Sequence, residues 1–295
     1  QVLNMAGSDN QNEIQALRAE IKRLRKTLSE LTPPLSALLS RRGFRIYKKE
    51  PPDDLLLPDE GFIDEYYKLL HRYSFRLFIR DVIKHQSQFS LRDVMRYATR
   101  EVTADYIGYL TGTGLLKEKD GLYSLLKPVR SFGPTLEWFV SEIFRKEFSV
   151  EAIWGIKFKR PVVGGDYDLI AKMDGSMLYM EIKSSPPKQI YSNEVAAFLD
   201  RVFDLCPDIS VFFMDTELRM KDKIVPMFEE ELGRRDQDKS LSPSHLITDT
   251  GDAAPVIRIE KELFHIQNKI FIINARESIV SNIEKVLNCF FRRFL

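Results

Sequence analysis

The sequence predicts a mixed α/β protein, a sheet flanked by helices, joined to a smaller α+β unit and an N-terminal helix. Three observations point there. Residues 131–295 alternate helical and strand-like apolar patterns, residues 62–130 run three helical patterns into one short hairpin, and residues 11–32 carry a heptad. An apolar fraction of 44% supplies a core and excludes a disordered chain.

The expected organisation is an N-terminal helix in 1–33, a linker in 34–61, and units in 62–130 and 131–295. In the first segment Ile14, Leu17, Ile21, Leu24, Leu28 and Leu31 step 3, 4, 3, 4, 3. Isoleucine at the first two a positions with leucine at d favours two parallel strands, so a homodimer through residues 11–32 is expected. A terminal helix lying on its own domain is the other reading. Pro33-Pro34 stop the helix. Residues 50–60, acidic and proline-rich, read as a linker or an extended strap.

In the second unit the helical patterns run from Phe62 to His85 with a break near Ser74, from Ser90 (an N-cap) to Tyr97, and from Val102 to Leu110. Two short strands follow, turned by Asp120-Gly121. Three helices and then a hairpin is the order of a winged helix. Residues 72–130 hold eleven Lys/Arg against six Asp/Glu, a local basic excess in a chain whose net charge is only +1. A nucleic-acid surface must therefore be local, with Arg92, Arg96, Arg100 and Lys117 as candidates for phosphate contact. A winged helix serving protein–protein contact is the alternative.

The third unit reads as a helix (134–148), strands near 151–160, 166–173 and 176–183, a helix (192–205), an apolar strand Ile209 to Met214, and a helix (217–233). A polar loop (234–255), strand-like runs (256–260 and 264–273) and a helix (277–293) complete it. Cys206 and Cys289 make neither a disulfide framework nor a zinc site, and His71, His85, His245 and His265 form no HExxH pair, which argues against a zinc hydrolase. No apolar run has membrane-spanning length and no signal peptide is visible, so an intracellular protein is expected.

The chemistry lies in residues 164–185, GGDYDLIAKMDGSMLYMEIKSS. Asp174-Gly175 signals a two-residue hairpin turn, because type I′ needs positive φ at both central positions. Met173 then pairs with Ser176, and cross-strand partners have numbers summing to 349. Asp168 faces Glu181, and Asp166 faces Lys183. Period-two alternation puts these four on one face and Tyr167, Leu169, Ala171, Met180 and Ile182 on the other. Two opposed carboxylates repel, which suggests a cation between them. Mg²⁺ is the natural one, held by one or two carboxylates plus water and phosphate, and Mn²⁺ is expected to substitute. Lys183 points to the same side, where it can stabilise developing phosphorane charge or hold the attacking water.

This pattern resembles the PD-(D/E)xK nuclease superfamily, most nearly its Holliday-junction-resolvase-like and restriction-endonuclease-like members. Asp168 is followed thirteen residues on by Glu181-Ile182-Lys183, and Gly133-Pro134-Thr135-Leu136-Glu137 fits an upstream G-x-x-x-E helix start. The α-β-β-β-α-β order fits residues 133–216. Tyr167 stands where the family name implies proline. The resemblance covers a quarter to a third of the chain. It implies a restriction-endonuclease-like mixed sheet and a metal-dependent DNA endonuclease, with an RNA-directed nuclease or an inactive DNA-binding scaffold as alternatives. It further implies catalytic Asp168, Glu181 and Lys183, and a metal held by Asp168, Glu181 and the carbonyl of Ile182, with Glu137 through water. Asp166 is left open as a replacement ligand or an ion-pair partner of Lys183, and Lys188, in the loop after Lys183, as a backbone contact. The implied partner is double-stranded or branched DNA.

Overall fold

The structure, a computed structural model, describes residues 14, 16–21, 23–24, 27, 33–49, 54–159, 163–237 and 254–292. The chain divides into two compact units, 1–46 and 47–295. In the first, the described residues among 14–27 are helical, with Ile14, Leu17, Ile21 and Leu24 about half exposed. Leu28 and Leu31 of the heptad lie outside the described residues. Helix α1 (Leu35–Arg41) follows, and strand β1 (Arg45–Lys49) runs across the junction. Residues 54–60 form a strap rather than a free linker: Leu56 is buried, its N–H donates to Thr135 Oγ1 at 3.0 Å, and Asp54 Oδ1 accepts from Arg130 N at 2.8 Å.

The second unit opens with helices α2 (Ile63–Leu70) and α3 (Tyr73–Lys84), separated at Arg72, whose backbone is extended. Arg76 Nη1 donates to the Leu70 and His71 carbonyls at 2.6 and 3.1 Å, satisfying acceptors at the end of α2. The helix expected over Ser90–Tyr97 is only a 3₁₀ turn, Leu91–Val94. Asp93 Oδ2 accepts from both Ser90 N and Ser90 Oγ, closing a tight turn, and Thr99 already caps the next helix, α4 (Arg100–Gly112). Strands β2 (Leu116–Lys119) and β3 (Leu122–Leu125) form the expected hairpin, with positive φ at Asp120 and Gly121. Tyr123 also pairs with Phe89, adding a third short antiparallel segment.

Helix α5 (Gly133–Lys146) leads into β4 (Ala152–Lys159), β5 (Tyr167–Met173) and β6 (Ser176–Lys183). Helix α6 (Ser192–Leu205), β7 (Ile209–Met214), α7 (Ile224–Gln237), β8 (Ile257–Glu260), β9 (Leu263–Ile266), β10 (Ile270–Asn274) and α8 (Ile279–Arg292) complete the fold. The sheet order is β4-β5-β6-β7-β10-β9-β8. β4, β5 and β6 are antiparallel neighbours, whereas β6, β7 and β10 run parallel. The result is a mixed sheet flanked by helices, in keeping with a restriction-endonuclease-like architecture. Every residue of the ISVFFM strand is buried, as expected for a parallel strand covered on both faces. One face packs against α5 and α8 through Leu136, Phe139, Ile143 and Val286. The other meets α6 and α7, where Phe198 contacts Tyr179, Phe212 and Phe228. The first core is continuous with Tyr66, Phe75, Phe78 and Leu110 of α2–α4, so one hydrophobic cluster crosses the 130/131 position.

Three sequence expectations need correction. Helix α7 begins at Ile224, not 217, because residues 215–223 turn back to be held by buried Glu262, which accepts from Met220 N at 2.7 Å. It also runs on to Gln237, into the stretch expected as polar loop. The run 264–273 is two strands, turned at Gln267 and Asn268, both with φ +51.

The β5–β6 hairpin has the predicted register: Leu169 pairs with Met180, Ile170 with Tyr179, and Met173 with Ser176. Asp174 has φ +44 and Gly175 φ +88. A β-branched residue at Gly175 places Cβ against the backbone at about 1–2 kcal/mol. Gly175→Val is expected to lower stability by that amount, read as a lower urea midpoint at unchanged slope, and an unchanged midpoint removes the turn assignment.

Candidate active site

Asp168 stands where β5 and β6 part. The regular ladder ends at Leu169–Met180, and beyond it Asp168 Oδ2 accepts from Ile182 N at 2.7 Å. The carboxylate thus replaces a backbone acceptor, which pins its position between the strands. Glu181, 3% exposed, is surrounded by donors. Lys183 Nζ lies 3.0 Å from Oε1, Arg201 Nη1 3.0 Å from Oε2, and the Tyr179 hydroxyl donates to Oε2. Lys183 Nζ also reaches Glu194 Oε2 at 3.0 Å. Asp168, Glu181 and Lys183 are therefore gathered as predicted.

Tyr179, Glu194 and Arg201 were not anticipated. Glu194, Phe198 and Arg201 are spaced i, i+4, i+7 on α6, so charged residues flank a phenylalanine on a face that packs inward. Charges on such a face are the signal that sequence reading passed over. Gly165, at φ +109, accommodates Arg201: an added Cβ would stand 2.6 Å from its Nη2.

Two expected placements are corrected. Asp166 is not beside Lys183; it pairs with Lys157 of β4 at 3.0 Å, while Lys183 is engaged by Glu181 and Glu194. Nor does Tyr167 lie with Leu169. Its ring packs on Tyr179 and Phe158 and its hydroxyl meets Asp204 of α6 at 3.1 Å, on the Glu181 side. Strict alternation fails at Asp168: the β6 ladder stops at Leu169–Met180 and the β4 pairing skips Gly155, whose φ is +56, before resuming at Ile156–Tyr167.

Glu137 is half-buried on α5, and among the described residues no set of three or more His, Cys, Asp or Glu side chains is placed to hold a metal. Ile182 runs in the parallel ladder opposite Phe213. Arg92, Arg96, Arg100, Lys117 and Lys188 are all exposed. Arg96 stacks its guanidinium over Tyr97, 5.3 Å from the ring centroid.

The electrostatics are those of crowded carboxylates. Burial and the neighbouring Glu181 charge push Asp168 well above the usual carboxylate range, despite the Ile182 N–H and the Lys183 charge. Burial alone would lower Lys183, but Glu181 and Asp168 outweigh it and hold the amine above an ordinary lysine. Burial and the Glu181 charge raise the Tyr179 hydroxyl, so it remains a donor. Because folding raises the Asp168 pKa, the metal-free native state binds that proton more tightly than the unfolded chain. The site then weakens the fold as pH rises from the ordinary carboxylate range through the raised value. Asp168→Asn, isosteric and neutral, is expected to raise the metal-free melting temperature at neutral pH and to flatten its fall with pH; a lower melting temperature at pH 7 refutes this.

No protein-family profile matches the chain, and no curated protein matches it. Among solved structures it is similar to protein VC1899 from Vibrio cholerae, at TM-score 0.45 and 12% identity over 88% of this chain and 60% of that one. It is also similar to Can2 from Sulfobacillus thermosulfidooxidans, solved in complex with cyclic tetra-adenylate, at TM-score 0.37 and 17% identity over 61% and 50%. The chain thus spans 60% and 50% of the lengths of those proteins. Likeness at this level says nothing of activity.

Proposed function

We propose that this chain is a metal-dependent DNA endonuclease of the PD-(D/E)xK type, in which the winged-helix-like region of residues 62–130 binds the nucleic acid. The observation that supports it is the parting of β5 and β6, which leaves the Asp168 and Glu181 carboxylates together under the Lys183 amine. The donor set suits Mg²⁺ or Mn²⁺: two hard carboxylate oxygens, whose mutual repulsion a cation relieves, with water and a substrate phosphate completing the shell. Asp168, Glu181 and the Ile182 carbonyl would hold the ion. When bound, it supplies a water of lowered pKa and neutralises phosphate charge.

The chain's own residues do the rest. Lys183 is a permanent ammonium and donates to a phosphoryl oxygen or the attacking water. Arg201 and Tyr179 fix the rotamer of Glu181. Arg92, Arg96, Arg100 and Lys117 position the backbone of the substrate by phosphate contact. Pairing of two chains through residues 11–32 would bring two such hairpins to two strands.

The test is incubation with plasmid, branched and single-stranded DNA and with RNA, in Mg²⁺, Mn²⁺ or EDTA. Cleavage that needs the metal and is lost in Glu181→Ala supports the reading. Tight binding without cleavage on any substrate replaces it with a binding or scaffold role, and cleavage of RNA alone moves it to the RNA-directed alternative.

A further inference from the structure

The structure places one exposed aromatic ring on the connector that leaves Lys183. We propose that Tyr191 is a stacking platform for an unpaired nucleobase beside the scissile phosphate, so that the substrate is single-stranded, or carries a flap or frayed strand at the cut. This rests on the nuclease reading above.

A lone exposed tyrosine needs no explanation; its surroundings carry the point. The connector from β6 to α6 leaves directly from Lys183 and is stiffened by extended Pro186 and the 3₁₀ turn Pro187–Gln189. Pro187 and Ile190 are buried and anchor it, yet Tyr191, the next residue, is 66% exposed. Glu194 joins this ring's backbone to the catalytic amine. Its Oε1 accepts from Tyr191 N at 3.2 Å and its Oε2 holds Lys183 Nζ at 3.0 Å. The Tyr191 backbone and the amine thus share one carboxylate, and in the proposal the base next to a phosphate at that amine stacks on the ring.

The adjacent loop, after β7, completes the surface. Lys223 lies 5.8 Å from the Tyr191 ring centroid and donates to the Lys188 carbonyl at 2.9 Å, tying the two loops together. Leu218 is 57% exposed, and Lys188 and Lys221 are exposed. Arg219 is paired with Asp222, Glu217 is exposed, and buried Glu262 accepts from Met220 N and Lys221 N of this loop. Both loops lie at the carboxyl ends of the parallel neighbours β6 and β7, the usual side for ligands in such sheets. An aromatic face among cations suits a strand with splayed bases, because every base has a π-face; bases inside a duplex are already stacked and unavailable to the ring.

The experiment is fluorescence anisotropy in EDTA, which prevents cleavage, with a labelled single-stranded oligonucleotide and a blunt duplex of the same sequence. Tyr191→Ala is expected to bind the single strand about tenfold more weakly, Tyr191→Phe within about twofold of the parent, and the duplex to be unaffected. Unchanged melting temperatures verify folding, since the ring is on the surface. No loss on the single strand, an equal loss on the duplex, or no single-strand binding by the parent chain overturns the proposal. A chain that shows this pattern yet cuts nothing in Mg²⁺ or Mn²⁺ overturns the nuclease reading and leaves the platform standing.

Discussion

Lys183→Ala is expected to slow metal-dependent cleavage about 10²–10³-fold while leaving nucleic-acid affinity within about threefold. The amine is held as ammonium by Glu181 and Asp168, so at neutral pH it is always a donor. In the proposed mechanism its contact with phosphate would strengthen as charge develops in the transition state, so its removal is expected to act on rate more than on binding. Glu181→Gln keeps the shape of the buried side chain and removes the charge that a cation would need; a loss of the same order is expected. Single-turnover rates at saturating protein, with dissociation constants measured in EDTA, separate the two effects. A Lys183→Ala rate within threefold of the parent, or a rate loss matched by the loss in affinity, sinks the catalytic assignment.

Asp215→Ala is expected to destabilise the protein by about 3–5 kcal/mol. Asp215 follows β7, is fully buried, and accepts from Arg76 Nε at 2.8 Å; Arg80 also pairs with its carboxylate and donates to its carbonyl at 3.0 Å. Arg76 is itself 1% exposed, so removing the carboxylate leaves a buried cation without its counter-charge, whereas Arg80 retains solvent contact and loses less. In a chain of this size the loss corresponds to a melting temperature lower by roughly 10 °C. The same residue's N–H donates to the Lys183 carbonyl at 2.8 Å, so α3 is tied to the end of β6 through one residue. Asp215→Asn, which keeps two hydrogen-bonding atoms, is expected to lose less than the alanine variant. Thermal or urea denaturation checks both, and a change under about 1 kcal/mol in Asp215→Ala shows that the pairing contributes nothing net.

The legible parts of this protein were those governed by local rules. The Asp174-Gly175 turn set the hairpin register from Leu169–Met180 to Met173–Ser176 by backbone sterics alone, and Asp120-Gly121 did the same for β2 and β3. Helices with an apolar stripe and a strong start, such as α5 with Pro134 in its first turn, were visible from periodicity. Less visible were the Gln267-Asn268 turn, whose first residue has little turn preference, and segments whose course is set by a distant partner, such as 215–223 held by Glu262. The partners of Asp166 and Tyr167 were hidden for another reason. Both lie beyond the last β5–β6 pair, and the β4 pairing, which skips Gly155 before resuming at Ile156–Tyr167, is irregular there, so hairpin alternation no longer fixes their sides.

By itself, then, the sequence determined most of the elements, the hairpin and the grouping of Asp168, Glu181 and Lys183, because turn sterics and strand alternation act between residues close along the chain. Only the tertiary structure decided what surrounds that set. Arg201 and Glu194 come from a helix, Tyr191 from the connector before it, and Asp215 from the residue just after a parallel strand. A parallel pairing needs a crossover between its strands, so these residues reach the site through packing of α6 and β7 against β6, which no local spacing encodes.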